Sequence, residues 1–397
     1  MKILYVCHRF PYPPKRGGKI RPFNMISHFS RQHEVTVASL SRSDEEGKEG
    51  EGLADHCKRV IMAQVREPWQ TIRMVLRLLT PKPSSMGYFY SAHLKREIEG
   101  LLANEEFDLI FVHCSSVAQY VSHVKGIPKI LDFGDMDSQK WLIYSKMRSF
   151  PLNIGYWLEG TKLQREEKRL AKQFDWCTCT TQAEFVTLNS YNTGVDTDWF
   201  PNGVDHDFFA PDNEGYDSET ISFIGRMDYY PNQACMIDFC NEILPLLQRQ
   251  RSSTKLIIVG ANPSAEIIKL GDLPGVTITG TVDDVRPYVR RSAVMIAPLK
   301  IARGTQNKIL EAKAMGVPVV CSKLAAGGID AVPGEHFLSA EQPPEYVDAI
   351  MYLLKDPEER EKFAKAGRDR VLRHHNWPSS MSRLDNIVER CLEKFKR

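Results

Sequence analysis

The stretch that decides the fold runs from Met295 to Ser322 and reads MIAPLKIARGTQNKILEAKAMGVPVVCS. Its opening apolar run ends at Pro298, which favours a short buried strand of a parallel sheet. Gly304 then permits a tight turn, and residues 305–315 are rich in helix formers before Gly316. A second apolar strand follows at once. The pattern therefore predicts strand, glycine turn, helix and strand, as in an α/β protein.

The turn in this stretch places free backbone N–H groups at the start of the predicted helix, where a phosphate can bind. Lys308 and Glu311 then project from one face of that helix. A cation suits the phosphates of a diphosphate, and a carboxylate accepts hydrogen bonds from sugar hydroxyls. The alternative is a solvent-exposed helix pair without a ligand. The candidate N–H donors belong to Gly304, Thr305, Gln306 and Asn307.

Length and composition indicate a globular protein of two domains. The chain has 397 residues, of which 42% are hydrophobic and 26% charged. A formal net charge of +2 identifies no partner, and we expect no nucleic-acid binding. No apolar run is long enough to span a membrane, and the N-terminal one is too short for a signal peptide.

The cysteines point to a reducing compartment. There are nine of them, an odd number, scattered from Cys7 to Cys391. This pattern favours reduced, buried thiols in a cytoplasmic protein. No His/Cys cluster has the spacing of a zinc site, so we expect no metal and no other cofactor.

The N-terminal region is basic. Between Lys58 and Arg96 eight basic residues face a single acidic one, Glu67. Within this region, residues 66–77 carry apolar side chains at helical spacing with arginines beside them. Such a basic amphipathic helix can lie on an anionic membrane surface, and the alternative is a helix packed on its own domain.

The first predicted strand, residues 2–7, leads into a basic glycine turn that reads KRGGK from Lys15 to Lys19. The position of Gly17 and Gly18 after the first strand, with cations on both sides, favours an anion site; a plain turn is the alternative. Arg21 opens the helix predicted next. The glycine fingerprint of dinucleotide-binding proteins, GxGxxG, is absent.

Polar residues follow two further apolar runs, 107–112 and 127–133, which we predict to be parallel strands. Residues just past the carboxyl ends of such strands line the ligand crevice of an open sheet. We therefore take His113, Asp135 and Asp137 as candidate site residues. The alternative for Asp137 is a cap of the following helix.

Two motifs together resemble the family-4 glycosyltransferases, which retain anomeric configuration. One is EAKAMGVPV from Glu311 to Val319, and the other is the turn PNGVD from Pro201 to Asp205. The likeness is nearest to sugar transferases associated with exopolysaccharide biosynthesis. It implies the GT-B fold, in which two Rossmann-like α/β domains face each other across a cleft.

The resemblance also implies a domain organisation. The N-terminal, acceptor-binding domain would comprise residues 1–201 together with a C-terminal helix, 377–397, that crosses back to it. The domain that binds the nucleotide-sugar donor would comprise residues 202–376.

Several site residues are implied in the same way. Glu311 would bind the ribose of the donor, and Arg226 and Lys308 would bind the departing diphosphate. Arg21, His113 and Asp137 would lie on the acceptor side, and Asp135 would be catalytic. The glycine turns that would hold the donor comprise Gly17, Gly18, Gly225, Gly280, Thr281 and Val282.

Three positions depart from the family pattern. Arg303 replaces the first of two glutamates and is expected to face the diphosphate instead. Asn232 replaces a lysine, so that Lys308 would supply the charge. Gly134-Asp135 stands where many members carry a histidine, so that Asp135 or Asp137 would replace it.

The function implied is that of a retaining glycosyltransferase of the hexosyltransferase type. It would move a sugar from a UDP- or GDP-linked donor to a hydroxyl of a glycan acceptor, expected to be lipid-linked, in exopolysaccharide or surface polysaccharide synthesis. We expect a cytoplasmic protein, peripheral at the inner face of the membrane. The alternatives are a nucleotide-sugar 2-epimerase of the same fold and a non-catalytic glycosyltransferase-like partner subunit.

Overall fold

A computed structural model describes residues 1–14, 17–43, 46, 51–65, 67–78, 80–212 and 214–396. Lys15 and Arg16 of the predicted basic turn lie outside the described residues, as does Arg66 of the amphipathic segment. The chain divides into a first unit, Met1–Phe200 with Met381–Arg397, and a second unit, Pro201–Ser380. The second unit thus extends to residue 380, beyond the 376 that the sequence predicted.

The first unit contains a parallel sheet. Its strands are β1 (Lys2–Cys7), β2 (Glu34–Ser41), β3 (Arg59–Gln64), β4 (Leu109–His113), β5 (Lys129–Asp132), β6 (Trp176–Cys179) and β7 (Asp196–Trp199). The strand order is β3-β2-β1-β4-β5-β6-β7, with parallel pairing throughout. β1 and β4 are therefore neighbours from which the chain proceeds in opposite directions across the sheet.

The helices of the first unit cover both faces of this sheet, as its apolar strands require. They are α1 (Gly17–Phe29), α2 (Glu51–Ala54), α3 (Glu67–Leu78), α4 (Ser84–Tyr88), α5 (Ala92–Asn104), α6 (Ser115–Ala118), α7 (Asp137–Met147), α8 (Leu152–Ala171) and α9 (Gln182–Asn189). Tyr5 of β1 and Phe111 of β4 are buried and stack with ring centroids 5.3 Å apart.

The second unit repeats the architecture. Its strands are β8 (Asp217–Ile224), β9 (Lys255–Val259), β10 (Val276–Gly280), β11 (Ser292–Ala297), β12 (Val319–Cys321) and β13 (Leu338–Ser339). They pair in parallel in the order β10-β9-β8-β11-β12-β13. The central stretch therefore forms the predicted strand, turn, helix and strand, with β11 beside β8 at the middle of the sheet.

Helices again flank the sheet. They are α10 (Tyr230–Asp238), which continues through a π-helical turn (Phe239–Ile243) into α11 (Leu244–Gln250), then α12 (Ala265–Lys269), α13 (Arg286–Arg290), α14 (Asn307–Ala314), α15 (Lys323–Ala326), α16 (Pro343–Lys355) and α17 (Pro357–His374). A last helix, α18 (Trp377–Phe395), begins in the second unit and ends in the first.

The cysteines of the chain are free thiols. All nine cysteines are described and free of disulfides, and eight of them are buried. Among the helices described, none is both long enough and apolar enough to cross a membrane.

One expectation for the first unit was wrong. Gly17 and Gly18 do not form a turn, because they begin helix α1. The predicted amphipathic helix is present as α3, and its apolar residues Trp69, Ile72 and Leu76 are exposed.

Candidate active site

In the second unit, the site is built where the chain leaves β8 and β11. Ligands of open α/β sheets bind outside the carboxyl ends of strands at such a switch point. β8 ends at Ile224 and is followed by Gly225, and β11 ends at Ala297. The loop after β11 leads into α14, whose Lys308 reaches the residues that follow β8.

Lys308 is held by residues from two other elements. Its Nζ donates a hydrogen bond to Oδ1 of Asn232, 2.8 Å away, and lies 4.1 Å from the ring centroid of Phe223. Burial lowers the pKa of Lys308 to about 8, while Cys235 and Glu311 favour the charged form. The ammonium group of Lys308 thus lies beside Asn232, the residue that stands where the family pattern has a lysine.

Gly225 lies against this pair so closely that it admits no side chain. A Cβ at residue 225 would stand 2.7 Å from Nδ2 of Asn232 and 2.9 Å from Nζ of Lys308. A Cβ on Gly260 would collide with the carbonyl oxygen of Gly225, at 1.7 Å. Glycine at positions 225 and 260 therefore lets the backbone after β8 and after β9 pack closely together, with the ammonium group of Lys308 against Gly225.

The loop before α14 is also closely packed. Gly304 has φ +63°, and its carbonyl oxygen would lie 1.9 Å from a Cβ on Gly328. Nε2 of Gln306 donates to the carbonyl oxygen of Arg303 at 3.1 Å, which folds the loop onto the start of the helix. The turn predicted at Gly304 is therefore present, but the helix begins at Asn307 rather than at Thr305.

The N-terminus of α14 has no side-chain cap. Oγ1 of Thr305 and Oδ1 of Asn307 are buried and have no hydrogen-bond partner among the described residues. Buried polar atoms of this kind normally have partners, so their arrangement at an uncapped helix start fits a bound polar group.

Glu311 follows Lys308 by one turn of α14. Burial raises the pKa of Glu311 to about 7, and the nearby Lys308 acts in the opposite direction. A bound hydroxyl group that donates to this carboxylate would favour its ionised form.

Arg226 is present beside Gly225 but has a partner that the sequence analysis did not weigh. Its Nε donates to Oδ1 of Asp228 at 2.9 Å, and its NH2 group contacts the other oxygen of the same carboxylate. The pair is partly exposed, with side-chain exposures of 41% and 38%. Arg226 therefore has to share its charge between Asp228 and any anion.

The turn Gly280-Thr281-Val282 follows edge strand β10, two strand positions away from β8. Gly280 has φ +70°, and Val282 packs on the hydrophobic core of the second unit. At about 4.8 Å between neighbouring strands, this turn lies on the order of 10 Å along the sheet edge from Gly225. No described contact joins the two places.

In the first unit, a polar cluster stands at the equivalent switch point between β1 and β4. His113 ends β4, and its Nδ1 lies 2.8 Å from Oδ2 of the fully buried Asp132 on β5. The ring of His8, just past β1, lies 5.8 Å from that of His113. A Cβ on Gly134 would stand 3.4 Å from Cε1 of His113. His113 thus occupies the space beside Gly134.

Arg21 is buried and donates hydrogen bonds to Asp132 of this cluster. Its Nε and NH2 groups donate to the two oxygens of Asp132, each at 2.9 Å, and NH1 donates to the carbonyl oxygen of Phe200 at 2.9 Å. Burial opposes ionisation of Asp132, but Arg21 and His113 outweigh it and hold the pKa of that carboxyl far below its usual value. The contacts of Arg21 favour a positioning role over direct contact with an acceptor.

Asp135 and Asp137 lie near Glu184 at the end of β5. Burial raises the pKa of Asp135 to about 7, and the charges of Glu184 and Asp137 add to this effect. Asp137 lies in the first turn of α7 but does not cap it, because the N-cap position is Met136. Glu167 instead accepts the N–H of Ser138 at 3.0 Å. The capping alternative for Asp137 is therefore wrong.

Gly17 and Gly18 lie in the first turn of α1, which carries no acidic residue. The nearest atom to a Cβ on Gly18 would be Cδ of Arg9, at 3.6 Å. Their predicted contact with a donor stays a prediction.

Four residues of these sites were not singled out in the sequence, namely His8, Asp132, Glu184 and Asp228. A carboxylate inside an apolar strand was a signal for Asp132, since buried charges need partners. Among the described residues, no three His, Cys, Asp or Glu side chains are placed to hold one metal ion.

Comparison with known proteins identifies the second unit. Residues 218–356 match the family described as Glycosyl transferases group 1. The chain contains a glycosyl transferases group 1 domain. This domain holds β8 to β13 and every donor-side residue discussed above from Arg226 to Glu311. The predicted resemblance to glycosyltransferases is thereby confirmed.

One curated relative extends the similarity. The chain is 30% identical over 206 residues to the phosphatidyl-myo-inositol mannosyltransferase of Mycobacterium leprae (strain TN). The match covers 49% of this chain and 54% of that protein, so the chain spans about half the length of this relative.

Solved structures match over the whole chain. A sucrose-phosphate synthase from Thermosynechococcus elongatus superposes with a TM-score of 0.73 at 16% identity, covering 99% of this chain and 100% of that one. Anabaena HepE in complex with UDP-glucose gives 0.67 at 15% identity, covering 98% and 99%. The GT-B fold that the sequence predicted for the group 1 domain and its companion unit is confirmed.

Proposed function

We propose that the protein is a retaining glycosyltransferase of family 4. It transfers a sugar from a UDP- or GDP-linked donor to a hydroxyl of a lipid-linked glycan acceptor during exopolysaccharide or surface polysaccharide synthesis. The name of the curated relative, a mannosyltransferase acting on a phosphatidylinositol, supports sugar transfer to a lipid-linked acceptor. The UDP-glucose complex of HepE supports a nucleotide-sugar donor.

The observation that carries this proposal is the arrangement around Lys308. Its ammonium group reaches Asn232 and borders Gly225, one turn before Glu311 on an uncapped helix. A diphosphate would meet the ammonium group and the free N–H groups at the start of α14. Glu311 would then accept hydrogen bonds from a ribose.

Transfer on such a site depends on stabilising the leaving group. The bond between the sugar's anomeric carbon and the diphosphate oxygen breaks, and the negative charge that develops is met by Lys308, Arg226 and the helix start. The acceptor oxygen forms the new bond on the same face, and its proton passes to the departing diphosphate. No metal is needed in this scheme.

His113 is the residue of the first unit best suited to meet the acceptor hydroxyl. Asp132 is ionised, so Nδ1 of His113 carries the proton that lies between them. Nε2 is then the ring nitrogen that is left to form a hydrogen bond with the acceptor hydroxyl. This geometry favours His113 over Asp135 for the place of the family's histidine.

The donor site is tested by a thermal-shift titration of the whole protein with UDP, GDP and their sugars, with and without EDTA. We expect one nucleotide to raise the melting temperature in both conditions. Glu311→Ala and Lys308→Ala should abolish the shift, because they remove the carboxylate and the cation.

Arg249→Ala is the matched control, since Arg249 is an exposed cation of the same unit. It should keep the full shift. The absence of a shift with every nucleotide, in folded protein, would exclude the donor site. Sugar isomerisation of the donor without any acceptor would instead identify a 2-epimerase.

A further inference from the structure

Helix α3 contacts its own unit through polar side chains. Gln70, Arg73 and Arg77 share one stripe of the helix. Nε2 of Gln70 and NH1 of Arg73 both donate to the carbonyl oxygen of Tyr90 at 3.0 Å. NH1 of Arg77 lies 3.5 Å from the carbonyl oxygen of Pro83. The polar side of this amphipathic helix therefore faces the protein.

The apolar side of α3 faces outward as a consequence. Trp69 is 66% exposed and Leu76 is 63% exposed, with Ile72 and Val75 between them on the same side. A surface helix of a globular protein normally has the opposite orientation. Contiguous exposed apolar surface of this kind is typical of a site that binds another protein or a membrane.

A second exposed apolar segment adjoins the first. It comprises residues 150–158, where Phe150 is 76% exposed and Trp157 is 55% exposed. Lys162, one turn further along α8, donates from Nζ to the carbonyl oxygen of Leu78 at 2.8 Å, at the end of α3. Leu158 lies on the same stripe of α8 as Lys162. We call the two segments the outer apolar surface.

Most of the charged residues in the stretches that form this surface are basic. Neither residues 68–96 nor residues 138–158 contain an acidic residue. The basic residues in these two stretches are Arg73, Arg77, Lys82, Lys95, Arg96, Lys140, Lys146 and Arg148. A second copy of the chain would bring like charges together at a symmetric interface, which opposes self-association. An anionic bilayer complements both the charge and the apolar side chains.

We propose that the outer apolar surface docks the protein onto anionic lipid bilayers. Trp69, Leu76, Phe150 and Trp157 enter the interfacial layer, where tryptophan is favoured, and the basic residues meet lipid phosphates. The proposal rests on this surface alone and does not depend on glycosyl transfer.

The experiment is co-flotation of the full chain with vesicles of phosphatidylcholine, with or without phosphatidylglycerol. The protein is expected to float with the anionic vesicles, and less so at high salt. Trp69→Gln with Leu76→Gln should lower the vesicle-bound fraction by roughly tenfold or more, because each side chain loses its apolar burial. Phe150→Gln with Trp157→Gln should have a similar effect.

The control is Val186→Gln, which replaces another exposed apolar residue of the same unit, 62% exposed on α9. It should bind vesicles within twofold of the unchanged protein. All variants should keep the melting temperature, since none of these side chains is buried. Failure of the unchanged protein to float, or equal flotation of the α3 variant, would overturn the proposal. So would a dimer in solution that the α3 variant dissociates, since it would identify a second copy as the occupant.

Discussion

At the scale of the residue, the donor-side cations differ in how freely they can act. Lys308 shares its ammonium group with a neutral amide, Asn232, whereas Arg226 is paired with the carboxylate of Asp228. A carboxylate next to a diphosphate opposes anion binding. We therefore expect Asp228 to lower the affinity of the proposed donor site for a diphosphate.

Replacing Asp228 by Asn should strengthen nucleotide diphosphate binding by about threefold to tenfold, because one negative charge leaves a partly exposed site. Isothermal titration with UDP and GDP measures the effect, which should shrink as salt is added. The gain should vanish in an Arg226→Ala background, since the two residues act as a pair. Weaker binding by the single variant would show that Asp228 instead orients Arg226 for its ligand.

The sequence singled out Arg226, Lys308 and Glu311 as candidates because each lies in a local motif. It did not identify Asp132 as the partner of Arg21, which is 111 residues away in the chain. Spacing along a chain shows which residues share a face of one helix, whereas pairs such as Arg21 and Asp132 arise only when strands and helices pack.

At the scale of the element, sequence periodicity predicted several helices and strands but not which side of a helix faces the protein. β1 has the bounds expected from its apolar run. The amphipathic pattern of α3 was visible in the sequence, but the orientation of the helix depends on carbonyl groups of Pro83 and Tyr90 that accept its polar side chains. Strand β3 was not predicted, although residues 60–63 form an apolar run; it is an edge strand, and most of its residues are only partly buried or exposed.

Helix α14 offers a test of stability within one element. Lys313 lies on the side of α14 that packs into the unit; its side chain is buried, and its Nζ has no hydrogen-bond partner among the described residues. This Nζ lies 5.3 Å from the ring centroid of Phe337, and the cation–π attraction offsets part of the free-energy cost of burying the charge. Burial lowers the pKa of Lys313 to about 8 from the ordinary value of 10.5.

Replacing Lys313 by Met should raise the free energy of unfolding by on the order of 1–3 kcal/mol at pH 7, because a charge is no longer desolvated. In the unchanged protein, between about pH 8 and pH 10.5, Lys313 is protonated in the unfolded chain but deprotonated in the folded protein. Stability should therefore rise from about pH 8 to pH 10.5, and this rise should be smaller in the variant. Urea unfolding across this pH range provides the measurement. Lys300→Met, which loses an exposed ion pair with Asp238, should not stabilise the protein.

At the scale of the whole molecule, two units of the same architecture each have a hydrophobic core. The group 1 domain contains the complete cluster of Gly225, Asn232, Lys308 and Glu311. The last helix, α18, contributes buried side chains such as Leu384 to the first unit. Stability of the first unit and nucleotide binding by the second should therefore be separable.

Replacing Leu384 by Ala should destabilise the first unit by about 2–5 kcal/mol, because a buried leucine leaves a cavity. The affinity for UDP or GDP, measured by isothermal titration below the melting temperature, should stay within twofold. Ser382→Ala, at an exposed position of the same helix, should change neither quantity. A tenfold loss of nucleotide affinity in the Leu384 variant would show that the donor site needs the first unit. In that case donor recognition would have to be assigned to both units rather than to the group 1 domain alone.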